Sequence, residues 1–254
     1  MTIRKNNTSI LTELVEFASP SGDISVAERV RSIPSDKIIA PNISMGIFLQ
    51  EAYNIYLYAC ADREALCLKG LDEKVLDELP GRIDFARETE ARWYVVRYSE
   101  VPSAKEFAKV QAIVDESRKA LLAAMEYAFF GEDLAKAVIH IKKGDGPADY
   151  IQDLNDIIFL ARKNLQKLLD TGCDMSHLDR LKEYSGPYAE LVAQCTVEEQ
   201  DRSHIRMDRD RAYTFLVVAL EAVRRAARHA FWNDKKRLRG YASEYFRKSS
   251  RKKK

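Results

Sequence analysis

Laid over itself with a shift of 102 residues, the chain matches in two separate places without a gap. That repeat limits its possible folds more than any other feature. FLQEAYNIYLYA at Phe48 to Ala59 lies over YIQDLNDIIFLA at Tyr150 to Ala161, and the register continues through Leu66/Leu168, Gly70/Gly172, Asp72/Asp174, Leu76/Leu178, Asp77/Asp179 and Leu79/Leu181. Over residues 48–79, 9 of 32 positions equal their partners. A second match sets YAFFGE at Tyr127 to Glu132 over HAFWND at His229 to Asp234, preceded by Ala120/Ala222 and Ala124/Ala226. Helical composition bias scatters Leu and Ala matches. It does not place Gly-x-Asp and Ala-Phe-aromatic at one common offset, so the pattern reads as a duplication. A repeat unit whose apolar stripe is too long to cover alone packs with its neighbour around a shared core, and approximate twofold symmetry is the expected arrangement.

The repeated elements are helices. Phe107, Val110, Val114, Leu121, Met125 and Phe129 recur at spacings of three and four or their multiples, as do Ile151, Leu154, Ile158, Ala161, Leu165 and Leu168. That is the period of amphipathic helices. With only 10 Gly and 7 Pro in 254 residues, the chain is too poor in turn formers for a many-stranded sandwich or barrel. Gly70 with Asp72 reads as a helix end followed by a new N-cap, and Ser103 with Glu106 as a capping box behind Pro102. Thr196 with Glu199 reads as another capping box, and Pro80-Gly81 and Gly186-Pro187 read as breaks in the middle helix of each unit. The organisation that follows is all-α, a helical bundle of two diverged three-helix repeats in a pseudo-twofold arrangement behind a short helical arm. The arm spans 1–42, with a helix from about Ser9 to Ala18 and another capped by Ser25 and Glu28. The repeat units span 43–141 and 148–242, the KKGDGP stretch from Lys142 links them, and a disordered basic tail occupies 243–254. Phe129 and Phe231, matched across the repeat, are expected at the centre of the core.

Few constellations carry chemistry. Carboxylate-bridged metal sites in bundles need two Glu-x-x-His pairs, and of the four histidines only His204, in Asp201-Arg202-Ser203-His204, approaches one. His140, His177 and His229 have no partner at ligand spacing, so no metal is expected. Cys60 and Cys67 share a helix face at a spacing that is also that of core positions, and Cys173 and Cys195 stand apart; none forms a CxxC pair. No nucleophile elbow is present, and Gly144-Asp145-Gly146 lacks the strand and later glycine of a dinucleotide loop. No cofactor is expected. The longest apolar run, Phe215 to Leu220, falls far short of the roughly 20 residues of a membrane span, and the absence of a signal-peptide core leads to the expectation of a soluble, cytoplasmic protein. Gln50/Gln152 and Glu51/Asp153, matched but off the apolar stripe, are expected to line a groove or contact, or to survive as relics of ancestry.

Charge supplies the functional clue. Residues 202–254 hold 17 Lys/Arg and 5 Asp/Glu, whereas residues 1–201 hold 24 and 34. On one final helix, Arg224, Arg228, Lys235 and Arg239 fall within about 60° of one another, with Arg225 and Lys236 widening the stripe and Trp232 among them. Arg247, Lys248 and Arg251 continue it into the tail. A charge run is often only a solvated face. A rigid cationic stripe with an exposed aromatic and a flexible basic tail is also what a polyanion-binding surface requires. The first unit has Leu122, Ala123 and Glu126 where the second has Arg224, Arg225 and Arg228, and this asymmetry favours the second reading. The chain is therefore expected to be a non-catalytic binding or scaffold protein that holds nucleic acid or another polyanion. An acidic protein surface is a further candidate partner, including a homo-oligomer formed through acidic body and basic helix, with no membrane partner. The alternative is a helical-bundle enzyme or small-ligand binder with a pocket between the units near Tyr127 and His229.

Overall fold

The computed structural model describes Ile10, Leu11, Glu13, Leu14 and Phe17, residues 24–144 and residues 146–251. The expected Ser9 to Ala18 helix falls largely outside these, as do Asp145 of the linker and the last three lysines. All regular elements among the described residues are helical, as the sequence period requires. In chain order they are α1 (Val26–Arg31), a 3-10 turn (Ser35–Lys37), α2 (Met45–Ala61), α3 (Arg63–Cys67), α4 (Glu73–Tyr98), α5 (Pro102–Ala128), α6 (Leu134–Lys142), α7 (Pro147–Lys163), α8 (Leu165–Asp170), α9 (Ser176–Ala230), α10 (Lys235–Leu238), a second 3-10 turn (Arg239–Tyr241) and α11 (Glu244–Arg251).

Local structure follows the matched residues. Gly70 and Gly172 both have positive φ, at 92° and 75°, a conformation glycine adopts without steric cost. The chain closes each helix end in the same way: Leu71 N–H donates to Leu66 O at 3.2 Å, and Cys173 N–H to Leu168 O at 3.4 Å. Such a bond returns a free terminal carbonyl to the hydrogen-bonded state. Two residues on, the Asp72 carboxylate accepts from Lys74 N–H at 3.1 Å and the Asp174 carboxylate from Ser176 N–H at 2.9 Å. Gln50 bonds Asn54 and Gln152 bonds Asp156 in the same manner.

The chain forms two compact units, one of residues 1–99 with 202–254, the other of residues 100–201. Each takes helices from both the 43–141 and the 148–242 stretches of the chain. In the first, Phe48, Ala52, Ile55 and Ala59 of α2 meet Leu76, Leu79 and Ile83 of α4 and Phe215, Leu216, Ala219 and Val223 of α9. In the second, Val114, Leu121 and Met125 of α5 meet Leu154 and Ala161 of α7 and Leu178, Leu181 and Tyr188 of α9. Fully burying such a side chain contributes about 1.5–3 kcal/mol. Arg82 is 1% exposed in the first core. It donates to Phe17 O at 2.9 Å and Phe215 O at 3.2 Å, lies 3.8 Å from the Phe215 ring centre and pairs with Glu78. Burial pulls its pKa down to about 10.

Several local expectations fail for identifiable reasons. Pro80 lies inside α4 and Pro187 inside α9, so neither Pro-Gly nor Gly-Pro breaks its helix. The lost backbone bond costs roughly 3 kcal/mol, and the buried residues on either side, Leu76, Leu79 and Ile83 around Pro80, and Leu181, Tyr188 and Leu191 around Pro187, outweigh it. Thr196 is no cap: it sits within α9, and its hydroxyl donates back to Val192 O at 2.8 Å. At the start of α5 the N-cap is Val101 and Pro102 takes the first turn, while the Ser103 hydroxyl donates to Glu198. Asp153 is buried rather than at a groove, paired with Arg118 at 2.9 Å. Phe129 is fully buried, but Phe231 is only half-buried, even with Tyr241 stacked on it at 6.2 Å between ring centres. Glu244–Arg251, expected as disordered tail, is helical.

Candidate functional site

The basic segment does not form one helical stripe. α9 ends at Ala230, the Phe231 to Asp234 turn intervenes, and Asp234 caps the separate helix α10 by accepting from Arg237 N–H at 2.9 Å. Lys235 and Arg239 therefore stand on other elements than Arg224 and Arg228. The cations of α9 are also engaged. Arg224 donates its Nε–H to Tyr241 O at 3.2 Å, and burial holds its pKa below the usual value. Arg228 pairs with Glu221 at 2.6 Å, and Arg225 approaches the same carboxylate at 3.8 Å.

Beyond the turn the segment folds back on α2, and two residues hold it there. Arg237 donates Nε–H and Nη2–H to the two oxygens of Asp62, each at 2.6 Å, a fork that fits the guanidinium plane. The Tyr241 hydroxyl reaches Asp62 Oδ2 at 2.7 Å and Tyr58 O at 3.2 Å. Burial first, then the Asp62 bond, pushes the Tyr241 pKa well above that of a free phenol. The hydrogen bond to Asp62 raises that of Arg237 further. Gly240 makes the closure possible: a Cβ there would stand 2.8 Å from the Tyr58 ring.

Docked in this way, the segment forms with α2 a groove of about 780 Å³ whose lining includes Glu51, Asn54, Tyr58, Lys236, Arg239 and Arg247. Glu51 accepts from Tyr245 N–H at 2.9 Å, so this member of the matched acidic pair does line a groove. Arg247 and Lys248 pair with Glu244. Among the described residues, the side chains of Lys235, Lys236 and Arg239 make no hydrogen bond or ion pair, and Trp232 stands 76% exposed in the turn before them. Arg251 is the last residue of α11.

The structure thus gathers Lys236, Arg239 and Arg247 in one lining and leaves Trp232, Lys235, Arg224, Arg225 and Arg228 outside it. The reading from sequence missed Asp62, Tyr58, Arg237, Gly240 and Tyr241. Asp62 and Arg237 lie 175 residues apart, and no spacing rule connects them. Tyr127 and His229, named for a pocket, each line a cavity inside one unit. His229 lies with Gly70 and Asp72 at about 360 Å³, and Tyr127 with Gly172 and Asp174 at about 370 Å³. Among the described residues no group of three His, Cys, Asp or Glu side chains is placed to hold a metal ion, and no helix is long and apolar enough to cross a membrane. Compared with known protein families, curated proteins and solved structures, the chain matches none.

Proposed function

We propose that this chain is a non-catalytic helical binding protein, built from a duplicated helical unit in pseudo-twofold arrangement, that holds the phosphate backbone of a nucleic acid on its C-terminal segment. One observation carries the reading: Lys235, Lys236 and Arg239 are free of acidic partners on a segment that Arg237, Asp62 and Tyr241 fix against α2. Free cations held at fixed spacing can neutralise phosphates with little ordering cost. An exposed Trp beside them adds a surface on which a base can stack. The gripping residues are thus Lys235, Lys236 and Arg239, with Arg247 at the groove rim, rather than the arginines of α9.

The test is fluorescence anisotropy with single-stranded oligonucleotides across a salt series. Changing Lys235, Lys236 and Arg239 together to Gln should remove most binding and flatten the slope of log K against log salt by about 2, since each phosphate on a single strand contributes about 0.7. Arg225→Gln with Arg228→Gln should leave binding nearly intact, because both already serve Glu221. Undiminished binding by the triple variant overturns the reading, as does a parent chain that binds no oligonucleotide at low salt.

A further inference from the structure

The cavities lined by His229 and by Tyr127 are made from matched residues. Each of the nine residues lining the Tyr127 cavity stands 102 positions from a residue lining the His229 cavity. Gly70/Gly172, Asp72/Asp174, Ala222/Ala120 and Ala226/Ala124 are identical pairs, and every pair falls inside 48–79 and 120–132 or their counterparts. With the frame shared, the differences carry the information. Where one cavity has Thr171, Ala123 and Tyr127, the other has Lys69, Arg225 and His229; where one has Cys173 and His177, the other has Leu71 and Val75. The cavity of the first unit therefore carries exposed basic side chains at its mouth and buried aliphatic ones at its floor.

The basic groups at that mouth are uncommitted. Among the described residues, the side chains of Lys69 and His229 make no hydrogen bond or ion pair, and Arg225 has only its 3.8 Å approach to Glu221, too long for a hydrogen bond. The two carboxylates of the lining already answer other groups: Glu221 accepts from Arg228 at 2.6 Å, and Asp72 from Lys74 N–H at 3.1 Å. In the other cavity, by contrast, Thr171 donates to Leu168 O at 2.7 Å and His177 Nδ1 lies 3.4 Å from Ser117 Oγ. A guanidinium, an ammonium and an imidazole around one opening can surround a tetrahedral dianion, the guanidinium taking two of its oxygens. Behind them Leu71, Val75, Val218 and Ala226 are buried and offer a surface that only the carbon skeleton of a ligand can use. At about 360 Å³ the space admits a ring or short chain rather than a polymer. We propose that this cavity binds a small organic phosphate monoester, its phosphate at Lys69, Arg225 and His229 and its skeleton on the aliphatic floor, a site independent of the polyanion surface.

The experiment titrates the full chain with phenyl phosphate, inorganic phosphate and phenol, following the methyl resonances of Val75, Val218, Ala222 and Ala226 and the heat of binding. Phenyl phosphate should bind about tenfold more tightly than inorganic phosphate, which cannot use the floor. It should bind about a hundredfold more tightly than phenol, which lacks the charge. Ala120 and Ala124, the matched alanines of the other cavity, should not shift. Lys69→Thr with Arg225→Ala, which installs the residues of that other cavity, should abolish phenyl phosphate binding while the melting temperature holds. The chain with Lys235, Lys236 and Arg239 changed to Gln should bind it as the parent does. No binding of phenyl phosphate, equal affinity for it and either control, or equal shifts in the two cavities overturns the proposal. So does full binding by a folded Lys69→Thr, Arg225→Ala chain, or loss of binding in the triple Gln variant. If the double variant fails to fold, the ligand comparison and the position of the shifts still decide.

Discussion

Asp62 is the residue on which the C-terminal segment turns, because one carboxylate answers both Arg237 and Tyr241. Removing the phenol takes away a bond that is replaced by water only in part. Tyr241→Phe should therefore destabilise the chain by about 1–2 kcal/mol, read from urea midpoints. The same residue sets an alkaline limit. Its folded pKa lies above the unfolded value of about 10, so the fold favours the protonated phenol. That contribution is whole below pH 10 or so and is lost as pH rises through the folded value. The parent's stability should fall above that pH, and Tyr241→Phe should flatten the fall. Phe129 and Phe231, equivalent in sequence, should differ in the same assay. Phe129→Ala empties a fully buried site and should cost about 3–5 kcal/mol, while half-buried Phe231→Ala should cost less than half as much.

The helix ends and the helix interiors make separate demands at the scale of elements. Gly70 and Gly172 close their helices in the same left-handed conformation with nothing within 4 Å of an added Cβ, so the penalty of a side chain there is conformational. Gly70→Ala and Gly172→Ala should each cost about 1–2 kcal/mol, and by nearly equal amounts. Unequal costs would mean that the two ends differ in surroundings that the backbone bonds do not reveal. In the helix interiors, Pro80 and Pro187 lack the N–H that would bond the preceding turn. Pro80→Ala and Pro187→Ala should each stabilise by about 1–2 kcal/mol, the restored bond exceeding the entropy that Pro removes from the unfolded chain. Thermal unfolding monitored by circular dichroism checks all four.

The whole molecule distributes its charge by unit rather than by sequence half. Residues 100–201 hold 12 Lys/Arg against 19 Asp/Glu, and the remaining residues hold 29 against 20. A polyanion should therefore collect on the first unit and avoid the second. Hydrogen exchange of the full chain with a saturating thymidine oligonucleotide should show new protection at 45–61 and 232–248 and none across 102–201. Protection spread over α5 and α7 would contradict both the charge argument and the assignment of the free lysines.

The helices and their local stops follow from the order of residues alone: a period of three and four with few Gly and Pro leaves no other regular structure, and Gly-x-Asp carries its own turn and cap in six or so residues of chain. The sequence also marked the buried series from Val110 to Met125, since burial on an amphipathic helix follows from spacing alone. It misjudged Pro80, Pro187 and Thr196 because a local preference of a few kcal/mol is smaller than the burial that surrounds it. Which cations are free depends on contacts between residues far apart in the chain. Arg224, Arg228 and Arg237 look alike along the chain as Lys235 and Arg239 do, and they differ only by meeting Tyr241 O, Glu221 and Asp62 in space.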